Sequence, residues 1–333
     1  MELKVSDLKR FQKASKHIQS NGVLPIHNYL KFEPGKITKI VTGAFVEFPC
    51  QGIDEPVLVD EKMLNNLLNI TNSPIITISN NKAKVIMSDG KDKPFFPIQN
   101  VKEFSETPVS DSKKQLISAE FLEGLGMAAE VAKNMEVIPH YLMYVLVGNK
   151  SICGGDGFMA IHYPIEETVE IVLEKKIAHF ISREQIFSFA FSDNHYFFHT
   201  SDDVIFGFSR QSLGYTDLSP IILGGEKKLT FSATASDISS FNSYAMQSSK
   251  ECYVTIDNKR MYWSDDAIGI GNDRDMDNLT IQDSFTYVPA KMNAIISALD
   301  CEELDFYDGL GLFYIKSSET KASAIVAKIL NPK

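Results

Sequence analysis

Cysteine, tryptophan and positive charge are what this 333-residue chain has little of. Its four cysteines (Cys50, Cys153, Cys252 and Cys301) stand singly, with no CxxC pair and no histidine at metal-ligand spacing, which argues against a disulfide framework or a zinc site and for buried thiols. No apolar run approaches the length that crosses a bilayer, and the opening MELKVSDLKRFQKASKH is basic and amphipathic without the apolar core of a signal peptide, so the expected location is the cytoplasm. No Ser, His and Asp grouping or HExxH is present, and His162, His195 and His199 sit in strand-like stretches where a lone histidine is structural. The glycines of GGDGF and DGLGLF fall between expected strands, as hairpin turns rather than a phosphate loop. The acidic run Asn272 to Asn278 lacks the sixth-place glycine and closing glutamate of a calcium loop and reads as a solvated loop. No cofactor or metal is expected, and an enzyme ranks last among the functional classes.

Lys and Arg number 33 against 43 Asp and Glu, a net charge of -10 that on average disfavours nucleic acid. The average does not exclude a local cationic surface, because distribution rather than sum sets the potential a polyanion meets. With 44% hydrophobic and 23% charged residues the chain has the composition of a soluble globular protein large enough for two or three cores.

What is present is a repeat. A short amphipathic helix followed by short alternating strands recurs at a spacing of roughly 50 to 60 residues. Helix candidates open near Ser6, Asp60, Ser118, Ser182, Ser232 and Pro289, each a capping or first-turn residue type. β-rich stretches such as SPIITISNNKAKVIMSDG and CYVTIDNKRMYWSDDAIGIG follow, broken by Asn, Asp and Gly. The polar segments Val101 to Lys114 and Gly224 to Lys228 carry no apolar period and read as linkers. The expected architecture is α+β, with three similar domains over residues 1–110, 113–223 and 227–333, each holding two helices packed on curved antiparallel sheet.

On the first helix Leu8, Phe11, Ser15 and Ile18 fall on one side, while Lys9, Lys13 and Lys16 lie within a narrow arc opposite at about 100° per residue. Lysine on an exposed helix face is ordinarily a solvated face, and only its recurrence along the repeats gives it weight. Arg10, Lys62, Lys133, Arg183 and Lys291 are the further candidates.

The order of these elements resembles the bacterial DNA polymerase III beta subunit type of sliding clamp, across essentially the whole chain. The likeness is carried by GVLPIHNYLKFEPGKITKIVTG (Gly22 to Gly43), where a helix precedes a Leu-Pro-Ile segment and a strand, and by FLEGLGMAAEVAKNMEVIPHYLMYVLVGNKSICGGDGFMAIHYPI with its helix, hairpin and Asp-Gly turn. Where the family usually has Thr-Asp-Gly-His-Arg-Leu this chain has Gly155, Asp156, Gly157, Phe158, Met159 and Ala160, keeping only the Asp-Gly pair. With its short third-domain entry, this implies a divergent clamp of phage or mobile-element type. The resemblance implies a head-to-tail homodimer closed into a ring around double-stranded DNA, read without sequence preference, and loaded by a clamp loader ATPase. Lys9, Arg10, Lys13, Lys16, Lys62, Lys133, Arg183 and Lys291 would line the hole. It further implies an apolar groove for short peptides of a DNA polymerase and other partners, at Tyr141, Gly157, Phe158, Met159, Ala160, Ile222, Leu223, Ile325, Ala327 and Ile329. The competing expectation is a β-rich repeat module, structural or carbohydrate-binding, that never meets DNA.

Overall fold

The computed structural model describes residues 1–18, 24–81, 83–133, 141–211, 216–224, 228–249, 252–257, 260–265, 270–275, 284–309 and 311–329. Six successive segments follow one order: a leading strand, a helix, and a meander of three strands. The first is β1 (Glu2–Lys4), α1 (Val5–Ser15), β2 (Tyr29–Glu33), β3 (Gly35–Val41) and β4 (Ala44–Cys50); the second is β5 (Val57–Asp60), α2 (Glu61–Ile70), β6 (Ile75–Asn80), β7 (Lys84–Ser88) and β8 (Phe95–Pro97). The third is β9 (Gln115–Leu116), α3 (Ala119–Val131), β10 (Tyr144–Gly148), β11 (Ser151–Gly155) and β12 (Met159–Pro164); the fourth is β13 (Ile171–Glu174), α4 (Lys175–Arg183), β14 (Ile186–Phe191), β15 (His195–Thr200) and β16 (Ile205–Ser209). A short helix, α5 (Ser219–Leu223), precedes the fifth segment, β17 (Lys228–Thr234), α6 (Ala235–Ser248), β18 (Val254–Asp257), β19 (Arg260–Asp265) and β20 (Ile270–Asp275). The sixth is β21 (Phe285–Tyr287), α7 (Pro289–Leu299), β22 (Glu303–Gly309), β23 (Leu312–Lys316) and β24 (Ser323–Ala327).

Leading strands are exchanged between neighbouring segments. β1 pairs with β6 and β5 with β2; β9 pairs with β14 and β13 with β10; β17 pairs with β22 and β21 with β18, all antiparallel. The closing strand of a meander also seeks a partner: β4 pairs with β16 and β12 with β24. These seams give two eight-stranded sheets, while β8 and β20 end two four-stranded sheets.

The chain gathers into two compact units, Met1–Ile117 with Glu184–Arg210 and Ser118–Arg183 with Gln211–Lys333, so residues 113–223 contribute to both. In the first unit α1 buries Leu8 and Phe11, with Phe11 edge-on to Phe48 of β4 at 5.9 Å between ring centroids. In the second, α3 approaches β11 so closely that a Cβ on Gly154 would stand 2.3 Å from the Ala128 carbonyl oxygen. Polar side chains tie the helix pairs: Gln12 donates to Asn65 at 3.1 Å between α1 and α2, and Asn242 to Asn293 at 2.8 Å between α6 and α7. Asn242 in turn accepts from the buried Tyr287 hydroxyl at 3.0 Å, whose pKa burial pushes up.

The helix starts expected at Asp60, Ser118 and Pro289 are the caps or first residues of α2, α3 and α7, with Asp60 accepting from the Met63 N–H and Ser118 from the Phe121 N–H. The helix expected to begin near Ser182 is a correction. The helix there is α4, which ends at Arg183, and Ile186–Phe191 is strand β14. Its Phe and Ile content favours a pleated surface, and the helical spacing of Ala178 and Ile181 lies upstream. Ser232 belongs to β17, and α6 starts after the Thr234 cap. The acidic run from Asn272 is likewise corrected: its residues through Asp275 form β20, a charged sheet edge, and 276–278 lie outside the described residues. All four thiols stand outside disulfides, three of them buried. Among the described residues no helix is long and apolar enough to cross a membrane.

Two stability outcomes follow. Gly154→Ala drives a Cβ into main-chain carbonyl of α3 that cannot rotate aside, and should cost about 1–3 kcal/mol, read from the urea midpoint. Burial, with Lys114 nearby, pulls His199 of β15 down to about 4 from 6.5. The unfolded chain therefore takes up this proton first as pH falls, and stability present above pH 6.5 should be lost toward pH 4. His199→Gln should flatten the urea midpoint against pH in that window.

Candidate peptide groove and cationic helix faces

On the eight-stranded sheet of the second unit, alternation sends Tyr144 and Leu146 of β10, Cys153 of β11, Ala160 of β12, Tyr314 of β23 and Ile325 of β24 to the face opposite the helices. These form one apolar cluster with Met143, Val172, Leu218 and Ile222. Ladder register aligns the cluster in a row across strands: Ala160 faces Ile325, Ile325 faces Tyr314, Tyr314 faces Tyr307, and Tyr307 faces Leu229 of β17. A second row runs beside it. The Ala327 N–H donates to the Phe158 carbonyl at 2.7 Å, continuing the seam one residue past β12, and Ala327 faces Leu312.

α5 lies over this face, with Pro220 at its start and Ile222 fully buried beneath it. Its other side is open, with Ile221 56% and Leu223 44% exposed; Phe158, which ends the β12–β24 seam, and Leu229, which ends the row across the strands, are 54% and 52% exposed. The result is a closed apolar floor with a half-open apolar rim, a surface suited to another chain's apolar side chains. Burial pushes the Cys153 thiol up to about 11, so it stays protonated and acts as a small apolar residue.

The turn leading into the groove is held by Asp156. Its carboxylate accepts from the N–H groups of Phe158 and Met159 at 2.9 and 3.0 Å, Gly157 takes the left-handed conformation at φ 95°, and Lys291 of α7 pairs with the same carboxylate. The Lys291 ammonium also lies over the Phe158 ring, 5.9 Å from its centroid.

Of the ten groove residues expected from the sequence, Ala160, Ile222 and Ile325 meet in the cluster, Phe158 and Ala327 flank it, Gly157 shapes the turn and Leu223 forms the rim. Met159 alternates to the helix face, opposite Val326. Ile329 bonds instead to the Thr286 carbonyl, and Tyr141 starts a 3-10 turn. Leu146, Cys153, Leu218, Tyr307, Leu312 and Tyr314 were not foreseen; the period-two alternation of Tyr307, Leu312 and Tyr314 through the β22–β23 hairpin is the signal that locates them.

Among the cationic candidates, Lys9, Lys13 and Lys16 are exposed on the face of α1 away from buried Leu8, Phe11 and Ser15, and form no ion pair among the described residues. Arg10 pairs with Asp202 and covers the Phe48 ring, and Lys62 is exposed on α2. In the second unit the cations are more engaged. Arg183 stands 2.9 Å from His179 and 3.8 Å from Glu130, Lys291 is paired as described, and half-buried Lys133 follows α3. The misplaced helix start hid Lys176, exposed on the first turn of α4. α3 presents Glu120, Glu123 and Glu130 and no cation.

No family model and no curated protein matches the sequence. The fold does have close likenesses among solved structures. A DNA polymerase beta subunit from Streptococcus pyogenes superposes with a TM-score of 0.84 at 13% identity, over 99% of both chains. The Helicobacter pylori beta clamp bound to a DNA ligase peptide gives 0.82 at 14%, over 99% of this chain and 100% of that one. The DNA polymerase III subunit beta from Pseudomonas aeruginosa gives 0.82 at 11%, over 99% of both. End to end, the chain has the fold of bacterial DNA polymerase III beta subunits.

Proposed function

We propose that this protein is a DNA sliding clamp, a cytoplasmic processivity factor that encircles duplex DNA and tethers a polymerase, with no chemistry of its own. The observation that carries the reading is the likeness to beta subunits over 99% of the chain. The sixfold segment order supports three domains of two segments each, close to residues 1–110, 113–223 and 227–333.

Ring closure is supported by the two closing strands, β8 and β20, that have no seam with another meander in the described sheets. Each internal seam joins the closing strand of a domain's first segment to that of the next domain's second segment, β4 to β16 and β12 to β24. The same rule applied to what remains joins β20 of one copy to β8 of another, a heterologous contact that closes when two copies meet head to tail. The two edges suit each other in charge: exposed Lys84, Lys91 and Lys93 border β8, while exposed Asp273 and Asp275 lie on β20. Apolar side chains left open near β8, Phe95 at 53% and Ile70 at 64% exposed, would be covered in the same interface.

The cations of α1, with Lys62, Lys133 and Arg183, supply a sequence-independent hold on phosphates, loose enough for movement along the duplex. Short peptides of the polymerase and of other DNA enzymes would lie in the groove over Ala160, Ile222 and Ile325, and a partner ATPase would open the ring.

Sedimentation should give a particle of twice the 37.3 kDa chain mass, and Phe95→Asp together with Ile70→Asp should halve it. Loaded on circular DNA, the protein should stay through a salt wash and leave once the circle is cut; equal retention on linear DNA rejects encirclement. Replacing Lys9, Lys13 and Lys16 by alanine should lower the slope of log affinity against log salt by roughly 2.7, at about 0.9 for each phosphate no longer neutralised.

A further inference from the structure

Lys291 was expected from the sequence to face DNA, yet its geometry ties it elsewhere. It stands in the first turn of α7, on the helix side of the sheet, and reaches a carboxylate 135 residues earlier in the chain. That carboxylate, Asp156, has a side chain only 7% exposed, and it is already committed to the two N–H groups that shape the turn. Taking the cation away from a buried anion leaves an uncompensated charge, so the pair fixes the turn against α7. Phe158 closes that turn. It stands two residues before Ala160 of the cluster, where its carbonyl accepts from the Ala327 N–H, stays half in solvent, and carries the Lys291 ammonium beside its ring. A lone exposed phenylalanine on a Gly157 turn would sample several rotamers and lose that freedom on binding; one held by a backbone seam, an Asx turn and a cation has less to lose.

We propose that Lys291 is a positioning residue of the peptide groove. Through Asp156 and the Phe158 ring it presents Phe158 as a fixed aromatic wall, against which an aromatic or large apolar side chain of the bound peptide packs. Lys291 therefore acts on partner binding and leaves DNA to other cations. The inference rests on the groove reading above and adds to it which residue sets the wall and which ligand chemistry the wall selects.

The test is fluorescence anisotropy with two labelled probes, the DNA ligase peptide bound by the Helicobacter pylori clamp and a decapeptide of alternating leucine and serine with one central phenylalanine. Lys291→Met should weaken binding of the tighter probe roughly three- to tenfold, and Lys291→Arg should restore most of it. Asp156→Asn keeps an oxygen for the turn N–H groups while losing the ion pair, and should weaken binding to a similar degree. In a Phe158→Ala background Lys291→Met should have no further effect, an outcome that general destabilisation would not give. The salt slope of DNA binding should stay unchanged in Lys291→Met; a fall of about 0.9 would assign Lys291 to a phosphate instead. Equal peptide binding by wild type and Lys291→Met overturns the positioning role while leaving the groove intact. Failure of wild type to bind either probe overturns the groove reading and the inference with it.

Discussion

An unpaired strand edge is the constraint from which the rest of this architecture follows. Each meander of three strands ends with a row of main-chain N–H and C=O groups that must find partners or be guarded. Exchange of leading strands covers one edge of each meander, as β5 covers β2 and β1 covers β6. The other edge is covered by a seam with a meander far away in sequence. Two such seams are made within the chain, and the first recruits close packing: Gly207 of β16 lies opposite Phe45 of β4, where any Cβ would meet the ring. Of the closing strands of the meanders, β8 and β20 are the two left without such a seam in the described sheets, and on the reading proposed above a second copy would supply it.

The two eight-stranded sheets share this plan and differ on the faces away from their helices. In the first unit Phe45 fills the space over Gly207 beside Phe197 and Ala190, and Thr107 of the following polar segment bonds to Glu47 on the same strand. That face is occupied by its own residues. In the second unit the equivalent seam carries small Ala160 opposite Ile325, and α5 covers only part of the row, leaving Phe158, Ile221, Leu223 and Leu229 open. A phenylalanine on one seam stands where the other has an alanine, and on the reading proposed above only the second face would take a peptide.

Much of this was legible in the sequence because it is local. Capping residues Asp60 and Ser118 and the first-turn Pro289 place three helices, and the buried stripe of α1 through Leu8, Phe11 and Ser15 follows from helical spacing. What was not legible depends on tertiary partners. IFSFAF fits the apolar face of a helix or a strand, and only pairing of β14 with β15 decides for the strand, which displaced the expected helix and hid Lys176. Within the groove, Tyr141 to Ile329 could be proposed as a set, but the split of Met159 from Ala160 onto opposite faces is set by ladder register with β24. Lys291 illustrates the same limit for charge: a helix-face lysine reads as a solvated or DNA-facing cation until the buried Asp156 is seen beneath it.

The net charge of -10 does not oppose the clamp reading proposed above once the cations are sorted by what holds them. Several lysines are already neutralised at home: Lys39 by Glu61 in the interior, Lys36 by Glu33 and Glu47, Lys328 by Asp308, Lys321 by Glu120. A cation held in such a pair offers less to a phosphate than one with no carboxylate partner. Among the described cations that pair with no carboxylate, Lys9, Lys13 and Lys16 stand together at helical spacing on α1. On the clamp reading proposed above, such a small unpaired cluster would attract the backbone at one place, and the hold would be made and broken at low cost as the duplex advances. Tighter, more evenly distributed positive charge would raise affinity and lower mobility together, and a processivity factor is served by topology, which holds the DNA without needing to grip it.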